Sequence, residues 1–218
     1  MDLPNYHPTE ERLNYITHGI GFVAAIIGLG FLVWGFWHQK DTSVLIGVTI
    51  FGITAAITLL TSTIYHWLEH IEAKKAFRLL DHASIYLLIA GSYTPFALGN
   101  LRNVCGQSML ITVWSLAVIG IIFKFAIRHH LDRLVLIDSS LYVVFGLVSM
   151  LFIKYIIGYL PTGALVLLST GGALYLIGTL FYVSKSIKYN HAIWHLFVMA
   201  AVSCHYAAVL LYASSPAQ

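Results

Sequence analysis

Polar positions along this chain gather in short clusters, and the stretches between them are continuously apolar. Seven such stretches cover residues 15–37, 43–66, 80–99, 107–127, 134–153, 161–183 and 191–213. Each is close to the roughly 20 residues a helix needs to cross a hydrocarbon core of about 30 Å. A membrane β-barrel would alternate apolar and polar residues over about 10 positions, and these runs do not alternate. The pattern predicts an all-α, polytopic membrane protein, a seven-transmembrane-helix bundle with residues 1–218 as one domain. Connections such as 37–42 and 99–106 are short, so neighbouring spans are expected to pack antiparallel. Mostly polar residues precede the first run and no small-residue cleavage pattern follows it, which predicts a retained helix instead of a signal peptide.

Composition closes off the soluble alternative, because 59% of the residues are hydrophobic, 10% are charged, and the mean hydropathy is +0.81. The Lys and Arg residues then set an orientation. Arg12, Lys74, Lys75, Arg78, Lys124, Arg128, Arg133, Lys185 and Lys188 fall on one side, against Lys40, Arg102 and Lys154 on the other. The N-terminus is therefore expected to be cytoplasmic and the C-terminus outside. The net charge of +3 reflects this topology, and no basic cluster suited to a nucleic-acid backbone stands out. Cys105, read as lying in an outer loop, and Cys204, inside span seven, are expected to be free thiols. Two cysteines are also too few for a thiolate zinc site.

Against this apolar background the ionisable residues stand out, since polar groups are expensive in a bilayer and mark function when several share one depth. Span two ends at His66, span three begins near Asp81, and span seven begins with His191 and His195, all at the cytoplasmic end. Residues four apart on a helix are separated by about 40° and about 6 Å, so His191 and His195 can grip one ion together. Ser62 and His66 repeat that relation on span two. A third imidazole from span two would complete a three-histidine set with an open fourth position, as catalytic zinc uses. Asp81 would then hold the hydrolytic water and take its proton; the competing reading is a carboxylate favoured by the helix dipole at the start of span three.

Other polar residues are placed with less force. Glu11, Asn14 and His18 form one stripe at i, i+3 and i+7 that fits a supporting or lid role, with a solvated entry segment as the alternative for Glu11. Asp138 either contributes a supporting contact or pairs with Arg133 or Lys154. His205, about 21 Å deeper than His191, faces the same interior without reaching the ion. It is expected to line a cavity or to be buried and hydrogen-bonded. His38, His70, His82, His129 and His130 are expected to be solvated loop or headgroup histidines. Gly28-Leu29-Gly30 and Gly171-Gly172 would permit close helix approach within the bundle or in a homo-oligomer.

Four ordered segments carry a resemblance: Glu11-Arg12 through Thr17-His18-Gly19; Ser62-Thr63-Ile64-Tyr65-His66-Trp67; Leu80-Asp81-His82 leading to Ala90-Gly91-Ser92-Tyr93-Thr94-Pro95; and His191-Ala192-Ile193-Trp194-His195. Together they resemble the bacterial hemolysin III proteins, which belong with the progestin and adipoQ receptors and more distantly with the alkaline ceramidases, a group of seven-helix membrane hydrolases. The resemblance implies a multi-pass protein of the bacterial plasma membrane. It also implies Zn2+ held by His66, His191 and His195, Asp81 positioning the hydrolytic water, and Ser62 near the reacting carbonyl or the water. Ligand recognition by the long N-terminal region of the receptor members is not carried over. Seven integral spans are a poor fit to a secreted pore former, so lysis is a weak inference from the family's name.

The expected function is hydrolysis of an amide or ester in a lipid or fatty-acyl molecule entering from the bilayer, its chain lying between helices below His195. Asp81 would serve as general base and then as acid toward the leaving group. The alternative is a lipid sensor in which zinc is structural. A transporter would need mid-membrane polar residues on several helices, and only His205 and a few Ser and Thr qualify.

Overall fold

The computed structural model describes residues 3–4, 6–130 and 134–214. Its helices are α1 (Pro8–Trp37), α2 (Thr42–Trp67), α3 (Ile71–Leu98), α4 (Val104–Ala126), α5 (Val135–Gly146), a 3-10 stretch (Leu147–Phe152), α6 (Ile153–Tyr159), α7 (Thr162–Val183) and α8 (Asn190–Tyr212). Among the described residues six segments are long and apolar enough to cross a membrane: α1, α2, α4, Val135–Tyr159, α7 and α8. The remaining long helix, α3, has 28 residues but carries Glu72, Lys74, Lys75, Arg78 and Asp81. Outward-facing Ile20, Phe31, Trp34, Ile119 and Leu180 are more than half exposed, as a lipid-facing surface requires.

Consecutive helices pack α1 on α2, α2 on α3 and α3 on α4, then α7 on α8, and α8 returns against α1. This last contact closes the bundle and brings the first turn of α8 beside the last turn of α2. Close approach of α8 depends on two of the glycines noted in the sequence. A Cβ on Gly28 would stand 2.8 Å from the Tyr206 ring, and one on Gly171 would stand 2.4 Å from His205; the Tyr206 hydroxyl donates to the Gly28 carbonyl at 3.1 Å. Gly30 and Gly172 meet nothing within 4 Å. An apolar cluster built on Leu32, Val44, Phe51, Met109, Val113 and Val209 fills much of the interior.

Local chemistry explains where helix ends depart from the apolar runs. His7 caps α1 by accepting from Thr9 N–H at 3.2 Å, with Pro8 in the first turn, so the helix starts well before residue 15. His70 caps α3 in the same way, through Ala73 N–H at 3.3 Å, so α3 starts well before residue 80. Asn103 accepts from Cys105 and Gly106 N–H at 3.0 and 3.2 Å, which places Cys105 in the first turn of α4 and not in a loop; both cysteines are free thiols. At the same end Asp41 caps α2 through Val44 N–H and pairs with Arg102. Burial pushes the Asp41 carboxyl up, but the Arg102 hydrogen bond and the cap hold it below its ordinary value.

The fifth span is not one continuous helix. The Tyr93 hydroxyl donates to the Gly146 carbonyl at 2.6 Å and accepts from Ser149 N–H at 3.3 Å, so a side chain from α3 takes two backbone groups out of the helical ladder where the 3-10 stretch lies.

Two expectations about charge are overturned. Lys124, counted among the loop cations, is fully buried in the last turn of α4. It forms an ion pair with Asp138 of α5, lies 3.0 Å from His82 Nδ1 of α3, and sits 5.0 Å from the centre of the Tyr142 ring. Asp138 therefore pairs with Lys124 and not with Lys154, which is exposed; Arg133, the other partner expected, lies outside the described residues. His82 is likewise no solvated histidine: it is buried, whereas His38, His70, His129 and His130 are exposed. A cation this deep needs its carboxylate nearby, because an unpaired charge loses its hydration without recompense. Lys124→Met is expected to cost about 3–5 kcal/mol by leaving Asp138 buried and unpaired. The check is a lower thermal midpoint in detergent, largely recovered in Lys124→Met combined with Asp138→Leu.

Candidate metal centre

The bundle closure brings together three imidazoles that are far apart in sequence. His66, His191 and His195 are buried, and one ring nitrogen from each lies within 4.8 Å of the others. Ring centres are 4.9, 5.1 and 4.7 Å apart around the triangle. Two of these histidines share a face of α8 because they are one turn apart, and the third comes from the last turn of α2.

The start of α8 is built to hold this position. Tyr189, just before the helix, adopts a left-handed conformation (φ 59°, ψ 31°), which is uncommon outside glycine, and α8 has no side-chain cap of its own there. Glu10 of α1 supplies one, its Oε1 accepting from His191 N–H at 3.1 Å. Asn190 donates to the carbonyls of Phe181 and Tyr182 at 3.3 and 2.9 Å, tying α8 to the end of α7.

Each imidazole is also held at its outer nitrogen. His66 Nδ1 donates to Glu11 Oε2 at 2.6 Å, with the Asn14 carboxamide 3.3 Å away, and Lys74 donates to the other Glu11 oxygen at 2.9 Å. His195 Nδ1 donates to the Asn14 carbonyl at 3.3 Å. His191 Nδ1 bonds the Tyr6 hydroxyl at 3.0 Å. Burial pushes the Tyr6 pKa well above its ordinary value, so the group remains a neutral phenol.

This pattern fits a divalent metal. A carboxylate and a carbonyl only accept, so they place the protons of His66 and His195 on Nδ1 and leave the Nε2 lone pairs for the cluster interior. His66 Nε2 and His191 Nε2 stand 3.2 Å apart. Tetrahedral zinc with bonds of about 2.0–2.1 Å spaces its ligands by about 3.3–3.4 Å. Lone pairs converging at this spacing repel unless a cation or a shared proton lies between them.

Asp81 and Ser62 are not part of the triangle. They line a chamber of about 660 Å³ together with His191 and His195, which extends down to Leu101, Met109 and Leu160. Ser62 Oγ is buried and faces the Asp81 carboxyl. His18 stacks on His195 with ring centres 3.5 Å apart and lines the same chamber, as does His205, which meets Tyr175 edge-on at 5.6 Å. His82 and Tyr142 also contribute to the wall. Asp138, in contact with Lys124 and His82, stands behind that wall and does not reach the imidazole triangle.

Several of these contacts were missed in the sequence. Tyr6, Glu10 and Lys74 carried no signal recognised there, yet Glu10, Asn14 and His18 fall at i, i+4 and i+8 on α1 and are all buried. That row is the inward one; Glu11 lies on its flank, half-buried, and still reaches His66.

The match to known proteins covers nearly the whole chain. Residues 6–206 fit the family model described as Haemolysin-III related. The chain belongs to that family. Within it, this protein is 38% identical over 203 residues to the Hemolysin-3 homolog of Bacillus subtilis (strain 168), covering 93% of this chain and 94% of that one. It is 38% identical to Hemolysin-3 of Bacillus cereus, covering 93% and 91%. To the human Monocyte to macrophage differentiation factor it is 30% identical, covering 95% and 87%. This Haemolysin-III related chain is thus similar to both bacterial and animal proteins over most of its length.

If Glu11 orients His66, removing it should weaken metal binding by about 10–100-fold, the usual cost of losing such a partner. Competition with a zinc chelator on purified Glu11→Ala checks this. Glu72→Ala, which breaks only an exposed Lys75 pair, should bind as the parent does.

Proposed function

We propose that this protein is a zinc-dependent hydrolase of amide or ester bonds in a lipid, a multi-pass protein of the bacterial plasma membrane with its N-terminus cytoplasmic. The observation that carries the reading is the position of the three imidazoles: they stand at the head of a mostly apolar chamber whose wall also bears Asp81 and Ser62. A purely structural cluster has no need of a chamber large enough for an acyl chain.

Held by three imidazoles, zinc supplies Lewis acidity toward water and toward a carbonyl oxygen. The chain's own groups do the rest. Asp81 orients the attacking water, takes its proton, and returns it to the departing nitrogen or oxygen. Ser62, its buried hydroxyl beside Asp81 on the same wall, donates to the reacting carbonyl or holds the water. The apolar side chains below take the acyl chain and exclude bulk water from the reaction. A second pocket of about 410 Å³ lies beside Tyr6, Glu10, Lys188 and Asn190, and Tyr182 lines both spaces, so a polar head can sit above while the chain lies below.

One observation favours a second reading, a zinc-stabilised lipid sensor without turnover. The cluster and its partners tie α1, α2 and α8 together, as a structural metal would. Cytolysis, suggested by the names of the bacterial relatives, gains no support from a chain built of membrane helices.

Asp81→Asn separates the readings. The hydrolase reading expects the purified variant to keep one zinc per chain while fatty-acid release from ceramides, phospholipids or acylated amines falls by at least 10²-fold. His191→Ala should lose both metal and turnover. Zinc binding without fatty-acid release from any of these lipids in the parent protein would leave the sensor reading standing.

A further inference from the structure

The buried Lys124, Asp138 and His82 group plays no part in the chemistry above, yet it shapes the chamber wall. Lys124 Nζ lies 3.0 Å from His82 Nδ1 and forms an ion pair with Asp138, whose Oδ2 is 3.5 Å from the same ring nitrogen. An ammonium can only donate. Of the two groups facing His82 Nδ1 the Lys124 ammonium is the nearer, and the Asp138 oxygen at 3.5 Å is already engaged by that ammonium, so the contact assigns Nδ1 as the acceptor and places the single proton of the neutral ring on Nε2. The ring is fixed from its backbone side as well, because the Tyr142 hydroxyl donates to the His82 carbonyl at 2.8 Å.

His82 lines the same chamber as Asp81, its neighbour in sequence, and its side chain is 10% exposed. Its Nε2 has no hydrogen-bond partner among the described residues. Adjacent residues on a helix diverge by about 100°, so His82 addresses a point beside the one Asp81 addresses. We propose that His82 is a specificity-determining residue: its Nε2–H, locked in place by Lys124, donates a hydrogen bond to an acceptor oxygen on the polar end of the lipid, near but separate from the scissile carbonyl. The expected ligand class is therefore an acyl amide or ester bearing a hydroxyl or similar oxygen a few bonds from the reacting group. This deepens the lipid-hydrolase reading and rests on the chamber being the lipid site.

The test is a matched pair, N-oleoylethanolamine and N-oleoylpropylamine, which differ in a terminal hydroxyl against a methyl. Each competes with a fluorescent fatty acid for the zinc-loaded protein, and oleate release is followed in the same samples. The parent protein should prefer the hydroxyl amide by about 5–10-fold, the value of one neutral hydrogen bond. His82→Phe should reduce the ratio to about one. His82→Gln, whose carbonyl can accept from Lys124 while its amide donates into the chamber, should restore the preference. Equal affinities in the parent, a preference that survives in His82→Phe, or its loss in zinc-loaded His82→Gln overturns the assignment. A preference without oleate release keeps the role of His82 and removes the hydrolase reading; oleate release without a preference does the reverse.

Discussion

Three imidazole nitrogens facing one another inside a membrane protein is the constraint to which the rest of this structure answers. Left to themselves, buried lone pairs at about hydrogen-bond spacing repel, and a proton on His191 Nε2 can be given to only one neighbouring lone pair, so it does not satisfy all three rings at once. A shared cation removes the conflict, provided the rings are presented correctly. Correct presentation demands that α8 return against α1 and meet the end of α2, that Glu10 cap α8 across the helix boundary, and that Glu11 and the Asn14 carbonyl hold the protons of His66 and His195 outward. The first turns of α1 are thus part of the centre, although none of their side chains belongs to the triangle.

Much of this was legible in the sequence, and the reasons differ by residue. Long apolar runs announced the spanning helices because a hydrocarbon core fixes their length. The His191 and His195 pair was legible because one helical turn separates them, and His66 because the topology placed it at the same end. What could not be read was the set of contacts made by closing the bundle. Tyr6 and Glu10 touch His191 from more than 180 positions away, as the hydrogen-bond separations of 185 and 181 residues attest. Glu10 was hidden for a further reason: the apolar run begins at residue 15, whereas capping by His7 extends the helix back to Pro8, and only then does the row Glu10, Asn14, His18 become visible.

Lys124 was misread by a different route. Counting basic residues at span ends treats each as a loop charge, and the rule works because most are. Lys124 sits in the last turn of α4, yet it turns inward to meet Asp138 and His82, which only packing of α4 and α5 on α3 could reveal. The 3-10 break in the fifth span has the same origin, since the Tyr93 hydroxyl that disrupts the ladder comes from α3. Together these features leave the fifth span less regular than its neighbours and in contact with a chamber that begins at the histidines.

The cluster's occupancy and ligand type decide whether this account holds. Zinc K-edge absorption on the detergent-purified parent protein measures both, and the structure predicts one zinc per chain with a first shell of light atoms and the outer scattering of three imidazoles. A protein that retains no divalent metal after saturation, or a spectrum dominated by sulfur from Cys105 or Cys204, would contradict it.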